Sequence, residues 1–571
     1  MKLLLTRLLS LPAIVLSANI AAAQALPDST IRKIDAIFSK WNQPNSPGAV
    51  VGVVRNDSLI FSKGYGLANL EYGIPNTPET IWYMASISKQ FTAYSILLLL
   101  KQGKLSLDDD IRKHLSWFPD LHARITIRQL LNHTSGIRDI SQFGPIAGIT
   151  QQDVLTEAQV VKILKRQRGL NFTPGTQFMY GNSDYVLLAE IVQAVSGKSF
   201  RQFTDSAIFK PLGMTSTHFH DDFTEIVANR AYSYDVVDNS HFVNSILTFS
   251  YYGSTGLLTN ARDMAKWVMN FYAPVVGDKS DVARLAEKAR LTNGAEIGYG
   301  LGIEIDNWHN WTQLAHGGSH AGFLNYLRVI PEAKMGVFVF SNRSDLSVGA
   351  PNDQVTSLFL PEASASPTGN PVMKIDSAKA IIEEPAAIEP YLGDYLTEVG
   401  DHARLAMANG MLLFKIGVSN QAVGLFGEDA SLLVRAKQDT FVVMNSPSTK
   451  LVFRISSERD TTITMISPYE EIRLEKSRKG PTGDVALQKY VGSYYSAEAD
   501  SRYVIKLEDH RLILTHSKYA DSKLTLSGDR HVFTDYWWMK HLLMDFDINH
   551  RISGFEVNYG WIRHLQFVKL D

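Results

Sequence analysis

The sequence predicts an α/β domain followed by two small all-β barrel-like domains. Three observations carry the prediction. Strand-like runs at both ends of residues 28–358 enclose a helical stretch, small residues and proline interrupt the chain at 359–386, and helical periodicity is absent beyond that point.

The elements follow in order. Lys2 and Arg7 precede an apolar stretch from Leu8 to Ile20, and the small residues around Ala21-Ala22-Ala23-Gln24-Ala25 suit a signal peptidase. Residues 1–25 are therefore expected to be a secretory signal, cleaved after Ala23 or Ala25, with a periplasmic or secreted product. The apolar stretch is shorter than the ~20 residues a membrane span needs and contains Pro12, and no later window is apolar enough, so no stable membrane insertion is expected after cleavage.

Gly48 to Val54, the polar Arg55-Asn56-Asp57-Ser58 and Leu59-Ile60-Phe61 predict a β-hairpin. From Ser86 to about Trp267 the pattern is mostly helical: Ile87 to Leu100 is apolar on nearly every side, and Thr126 to Gln129 is a capping box opening a short helix that stops before Gly136. Strands return at Leu301 to Ile305, Leu324 to Ile330 and Met335 to Phe340, which implies a sheet closed by distant chain segments with helices packed on it. After the linker, Tyr391-Leu392-Gly393-Asp394-Tyr395 resembles Tyr490-Val491-Gly492-Ser493-Tyr494 and Met407 to Leu413 resembles Leu507 to Ile513, an internal duplication that predicts small antiparallel barrels at 387–478 and 486–571.

Composition narrows the function. Lys plus Arg is 56 against 58 for Asp plus Glu, a net charge of −2, which favours neither nucleic acid nor an anionic membrane as partner. The cysteine count of 0 excludes disulfides, thiolate metal sites and a catalytic thiol, so any covalent nucleophile is oxygen or nitrogen.

Ser86-Ile87-Ser88-Lys89 opens the apolar helix with Ser86 and Lys89 on one face. A buried lysine has its charged form disfavoured, so Lys89 could take the Ser86 proton while the helix N-terminus favours the resulting oxyanion. A surface lysine beside an N-cap serine would carry the same letters. Tyr180-Gly181-Asn182 follows the Pro174-Gly175-Thr176 turn; its phenol could share a proton with Lys89 and its amide could hold a substrate carbonyl, or the pair could be a core tyrosine and an N-cap. His316-Gly317-Gly318-Ser319 precedes a strand, and its glycines would let a substrate backbone approach a sheet edge; an ordinary glycine turn is the alternative. Gly317 to Ala321 lacks the last glycine of an α/β-hydrolase serine elbow. His218-Phe219-His220-Asp221-Asp222 offers two imidazoles and carboxylates, but no following histidine and no other evident ligand cluster. It is read as a polar loop after Pro211-Leu212-Gly213-Met214, and no metal site or cofactor is assigned.

Taken together, Ser86-x-x-Lys89, Tyr180-x-Asn182 and His316-x-Gly318 resemble the serine β-lactamase and penicillin-binding-protein family, in its class C and D,D-peptidase branch. The phrases Leu130 to Gly136, Pro174 to Asn182 and Gly256 to Asp263 resemble the text between that family's catalytic motifs, over about residues 28 to 345. The resemblance implies a β-lactamase-like domain, an antiparallel sheet flanked by helices with a helical insert. It also implies Ser86 as acylated nucleophile, Lys89 as its proton acceptor, Tyr180 as general base then acid, and Asn182 orienting the substrate amide. The backbone N–H groups of Ser86 and Ser319 would form the oxyanion hole, with His316 and Gly318 on the edge strand.

The departure is His316-Gly317-Gly318 where β-lactamases carry Lys-Thr-Gly. A neutral imidazole forfeits a charged hydrogen bond to a substrate carboxylate worth ~1.5–3 kcal/mol, which turns the expectation from β-lactams and carboxypeptidase substrates toward amines, amides and esters. The layout of one catalytic domain and two β domains resembles the D-stereospecific aminopeptidases. There a β domain sends a loop to the pocket, a part Tyr536-Trp537-Trp538 could play unless these rings simply pack on the barrel. The expectation is thus an exported serine hydrolase acting on amide bonds of small, D-amino-acid-containing peptides. The alternatives are a carboxylesterase of the same family and a non-catalytic wall-peptide or penicillin-binding protein.

Overall fold

The computed structural model describes residues 26–150, 152–238, 241–360, 388–408, 411–416, 431–437, 439–443, 446–455, 461–467 and 471–570. The expected signal segment, residues 1–25, and nearly all of the expected linker lie outside the described residues.

The first domain is organised by a six-stranded antiparallel sheet. In chain order its strands are β1 (Ala49–Arg55), β2 (Ser58–Tyr65), β3 (Glu304–Trp308), β4 (Trp311–His320), β5 (Phe323–Ile330) and β6 (Met335–Ser341), arranged in space as β3-β4-β5-β6-β1-β2. Residues nearly 300 apart meet at the centre, where Val51 faces Val339 and Gly52 faces Phe338. A Cβ on Gly52 would lie 2.1 Å from the Phe338 ring, so that position has no room for a side chain.

Alternation along a strand sends successive side chains to opposite faces, and here both faces are buried. Val50, Val54, Phe338 and Phe340 face the larger core, while Ala49, Val51, Val53, Val337 and Val339 face a smaller one. The smaller core is closed by Ile34 and Phe38 of helix α1 (Asp28–Phe38) and Val355 of a helix near the end of the domain (Gly349–Ser357). The larger side holds helix α2 (Ser88–Lys101), buried on almost every face as its apolar run predicts, and helix α3 (Asn182–Ser196). The capping box at Thr126 and Gln129 forms and opens the helix Ile127–Leu131.

Two strand expectations need correction. The strand sought at Leu301 to Ile305 runs instead over Glu304–Trp308, because Gly302 turns the chain at φ 76°. His316 to Ser319 is not a turn ahead of a strand but lies within β4, paired with Leu327 to Leu324 of β5.

The two C-terminal β units share their opening. Each starts with a single 3₁₀ turn (Glu389–Tyr391, Gln488–Tyr490) followed by a strand (Gly393–Thr397, Gly492–Ser496). Tyr395 donates its hydroxyl to the Tyr391 carbonyl and Tyr494 donates to the Tyr490 carbonyl, both at 2.6 Å, so the repeated letters build the same corner twice. The first unit closes into a barrel with its own core around Tyr395, Phe414 and Phe453. The second is a nine-stranded sheet whose edge strands, Tyr519–Lys523 and Thr525–Ser527, are consecutive in the chain, and its core is continuous with that of the first domain. Among the described residues no helix is long and apolar enough to cross a membrane.

Candidate active site

Ser86 sits in the single 3₁₀ turn Ala85–Ile87 that leads into α2. The strand Trp82–Tyr83 reaches this turn through Ala85, which holds a left-handed φ of 47° without being glycine, a conformation costing on the order of 1 kcal/mol or more. The surrounding structure holds the turn in place: Asn325 of β5 donates to the Tyr83 carbonyl at 2.9 Å, and the Tyr83 hydroxyl lies 2.5 Å from that of Thr255. One turn along α2, the Lys89 ammonium donates to Ser86 Oγ at 3.2 Å, to Asn182 Oδ1 at 2.8 Å and to the Ser254 carbonyl at 3.0 Å. Lys89 is wholly buried, and desolvation pulls it down to about 7 against the opposing pull of Asp139 and Asp184.

Asn182 is the first residue of α3. Its backbone N–H is held by the Asp139 carboxylate, and its amide nitrogen donates to Ser141 Oγ at 3.2 Å. Tyr180 lies two residues earlier, its ring centroid 4.6 Å from the Lys89 nitrogen. Burial raises the Tyr180 phenol and the Ser86 hydroxyl opposes the rise; no geometrically acceptable hydrogen bond ties down its oxygen. Behind these groups, Ser135 donates to Asp184 Oδ1 at 2.5 Å and Asp184 Oδ2 lies 2.9 Å from His133 Nδ1. Burial pushes the Asp184 carboxyl well up and the His133 imidazole well down. The Leu130 to Gly136 phrase is thereby pinned to α3.

Strand β4 forms the opposite wall. Its neighbour β3 stops at the Glu304–Ala315 pair, which leaves the outer edge from His316 onward unpaired and facing the cleft. A Cβ on Gly318 would lie 2.2 Å from the Met84 carbonyl and 3.4 Å from the Ser86 nitrogen, so glycine is what allows this edge to sit against the Ser86 turn; Ser319 follows, exposed. His316 is buried, 3.0 Å from the Tyr299 hydroxyl, and desolvation followed by the nearby Lys89 charge lowers it to about 3. It is neutral at pH 7 because of this burial, where the sequence alone suggested an ordinary imidazole.

All seven residues singled out in the sequence therefore line or back one cavity of about 1820 Å³. Sequence reasoning missed Asp139, Ser141, Ser254, Tyr299 and Glu304, which no local pattern marks. It also missed Trp561 of the second β unit, whose ring centroid lies 6.3 Å from that of Tyr180. Of the aromatic triplet, Trp537 lines the cavity while Tyr536 and Trp538 stack on each other at 4.9 Å. His218 and His220 lie away from the cavity, near Glu225.

Residues 27–357 match the family model described as Beta-lactamase. The D-aminopeptidase of Brucella anthropi is 27% identical over 277 residues, 48% of this chain and 52% of that protein, and the D-aminopeptidase of Brucella ovis matches with the same identity and coverage. The chain thus spans about half the length of the curated relatives it matches. Among solved structures, the octameric penicillin-binding protein homologue from Pyrococcus abyssi aligns with a TM-score of 0.52 at 24% identity, over 78% of this chain and 100% of that one.

Proposed function

Because this chain belongs to the beta-lactamase family, we propose that it is a serine hydrolase that forms an acyl-enzyme at Ser86 on amide bonds of small peptides, D-amino-acid peptides first among them. The observation that carries the reading is the buried Lys89 nitrogen 3.2 Å from Ser86 Oγ with an acidity near neutral. In its neutral form that amine accepts the Ser86 proton as Oγ attacks the substrate carbonyl. The N–H groups of Ser86 and Ser319 receive the oxyanion, a contribution of about 10²–10³ in rate per donor. Tyr180, next to Lys89 and Ser86, passes the proton to the leaving amine, and the Asn182 amide aligns the substrate. Water then repeats the sequence on the ester.

The charge of the cleft supports an amine-bearing substrate. Among the described residues, Asp153, Asp235, Asp306, Glu398, Asp401, Glu471 and Glu556 line it against Arg473 and Arg563, while burial raises the Glu304 carboxyl to about 7 and His316 is neutral. That field attracts an ammonium and opposes a terminal carboxylate. The D-aminopeptidase relatives fit this preference. Export belongs to the same proposal and rests on the N-terminal sequence signal.

The test is steady-state hydrolysis of D-alanyl and L-alanyl p-nitroanilide, with Ser86→Ala as the blank. A D preference abolished by the substitution is the expected result. Turnover of p-nitrophenyl esters alone would assign the protein as an esterase, and stoichiometric acylation without turnover as a binding protein.

A further inference from the structure

Outside the cleft, His218–Phe219 forms a two-residue strand against Leu257 and Leu258, and the same strand pairs through Leu258 and Thr259 with Trp82–Tyr83 just before Ser86. Alternation puts Phe219 into the core and leaves His218 and His220 on the other side. A chain reversal then brings Glu225 back over both rings. His220 Nδ1 lies 3.4 Å and His218 Nε2 3.5 Å from the same Glu225 oxygen, and the three donor atoms are all within 4.8 Å of one another. Neither imidazole nitrogen has a hydrogen-bond partner of acceptable geometry, although His220 is only 3% exposed.

The spacing is informative. A hydrogen bond would bring nitrogen and oxygen to ~2.9 Å. Two ligands each ~2.0–2.2 Å from one tetrahedral ion stand roughly 3.4 Å apart, which is what both imidazoles show toward the carboxylate. The carboxylate is also oriented from behind: Arg201 donates to both Glu225 oxygens at 2.8 Å and to Asp221 at 2.9 Å. Asp221, Asp222 and Glu225 outnumber Arg201 and Arg230 in this neighbourhood, so the surroundings retain a negative surplus for a dication.

We propose that His218, His220 and Glu225 bind one divalent cation of the zinc class, a solvent ligand completing the tetrahedron. Two nitrogens and one carboxylate oxygen suit zinc or cobalt and disfavour magnesium or calcium, which want oxygen donors throughout. The ion would brace the loop to the three-stranded sheet from which the Ser86 turn departs, at a distance from the chemistry itself.

The chelator-stripped full chain is titrated with Zn²⁺, and with Co²⁺ followed by visible absorption. One equivalent is expected to bind, to raise the melting temperature and to give the intense bands of four-coordinate cobalt. Glu225→Gln and His218→Gln, both outside the deepest core and checked for fold by circular dichroism, should each weaken Zn²⁺ by at least about tenfold. No saturable binding by the wild type below about 100 µM, or equal affinity in the wild type and both variants, overturns the assignment.

Discussion

Lys89 links burial to reactivity. Its folded-state acidity near 7 means that the neutral, proton-accepting form grows as pH rises through 7 and disappears below it. Single-turnover acylation between about pH 5 and 9 should therefore show an acidic limb centred near 7. Lys89→Met should abolish that limb and slow acylation by about 10²–10⁴. His316 is a second lever. His316→Lys restores the ammonium that β-lactam-binding relatives place on this strand and should raise acylation by a fluorescent penicillin about tenfold, read by gel labelling. Ser86 and Lys89 stood out in the sequence because a nucleophile and its base must share a helix face at fixed spacing, and His316 stood out through the two glycines that follow it. Asp139 and Tyr299 did not, because each acts on its partner across loops that no short pattern connects: Asp139 holds the Asn182 N–H and Tyr299 meets His316.

Among the elements, strand β4 shows where local reading fails. Two glycines in a row look like a turn, yet Gly317 and Gly318 pair with Tyr326 and Asn325 inside a ladder, and at Gly318 the Ser86 turn leaves no space for a side chain. Gly318→Ala should keep the far-UV spectrum of the wild type while lowering kcat/KM by about 10²-fold, the cost of moving this edge off the nucleophile. The helix Glu157–Arg166 gives a stability counterpart. Burial and the neighbouring Glu190 raise the Glu157 carboxyl well above its usual value. The unfolded chain ionises first as pH rises, so ionisation favours unfolding from the ordinary carboxylate range up through the raised folded value, and has no effect below that range. Glu157→Gln should accordingly raise the melting temperature at pH 8 by at least ~2 °C and give no gain at pH 4. Strand β1 and helix α2 were legible because each is an unbroken apolar run, which only an element buried on nearly every side can carry.

At the scale of the whole molecule, the second β unit is mortised into the first domain. Arg138 and Glu498 form a 2.6 Å ion pair with almost no exposure, and Gln142 donates to the Trp538 and Tyr559 carbonyls. Burial lowers Arg138 and raises Glu498, so desolvation opposes each charge and the pair has little net surplus. Removing one partner strands the other: Arg138→Met should cost about 3–5 kcal/mol in denaturant unfolding. The duplication announced both β units through their tyrosine corners, but their docking was invisible, since Asn171 meets Trp561 across 390 residues and Gln142 holds the Trp561 N–H across 419. Those separations also set an order of events during synthesis. Ser86, Lys89, Tyr180 and the β4 edge all leave the ribosome well before Trp561, so the hydrolytic groups are made before the wall that shapes their pocket. Contacts so distant in sequence form slowly. Until they do, the Pro145 to Ile149 segment lacks the Tyr503 and Tyr519 hydroxyls that cap its carbonyls, and surface left open in this way is the kind that aggregates before a late domain docks.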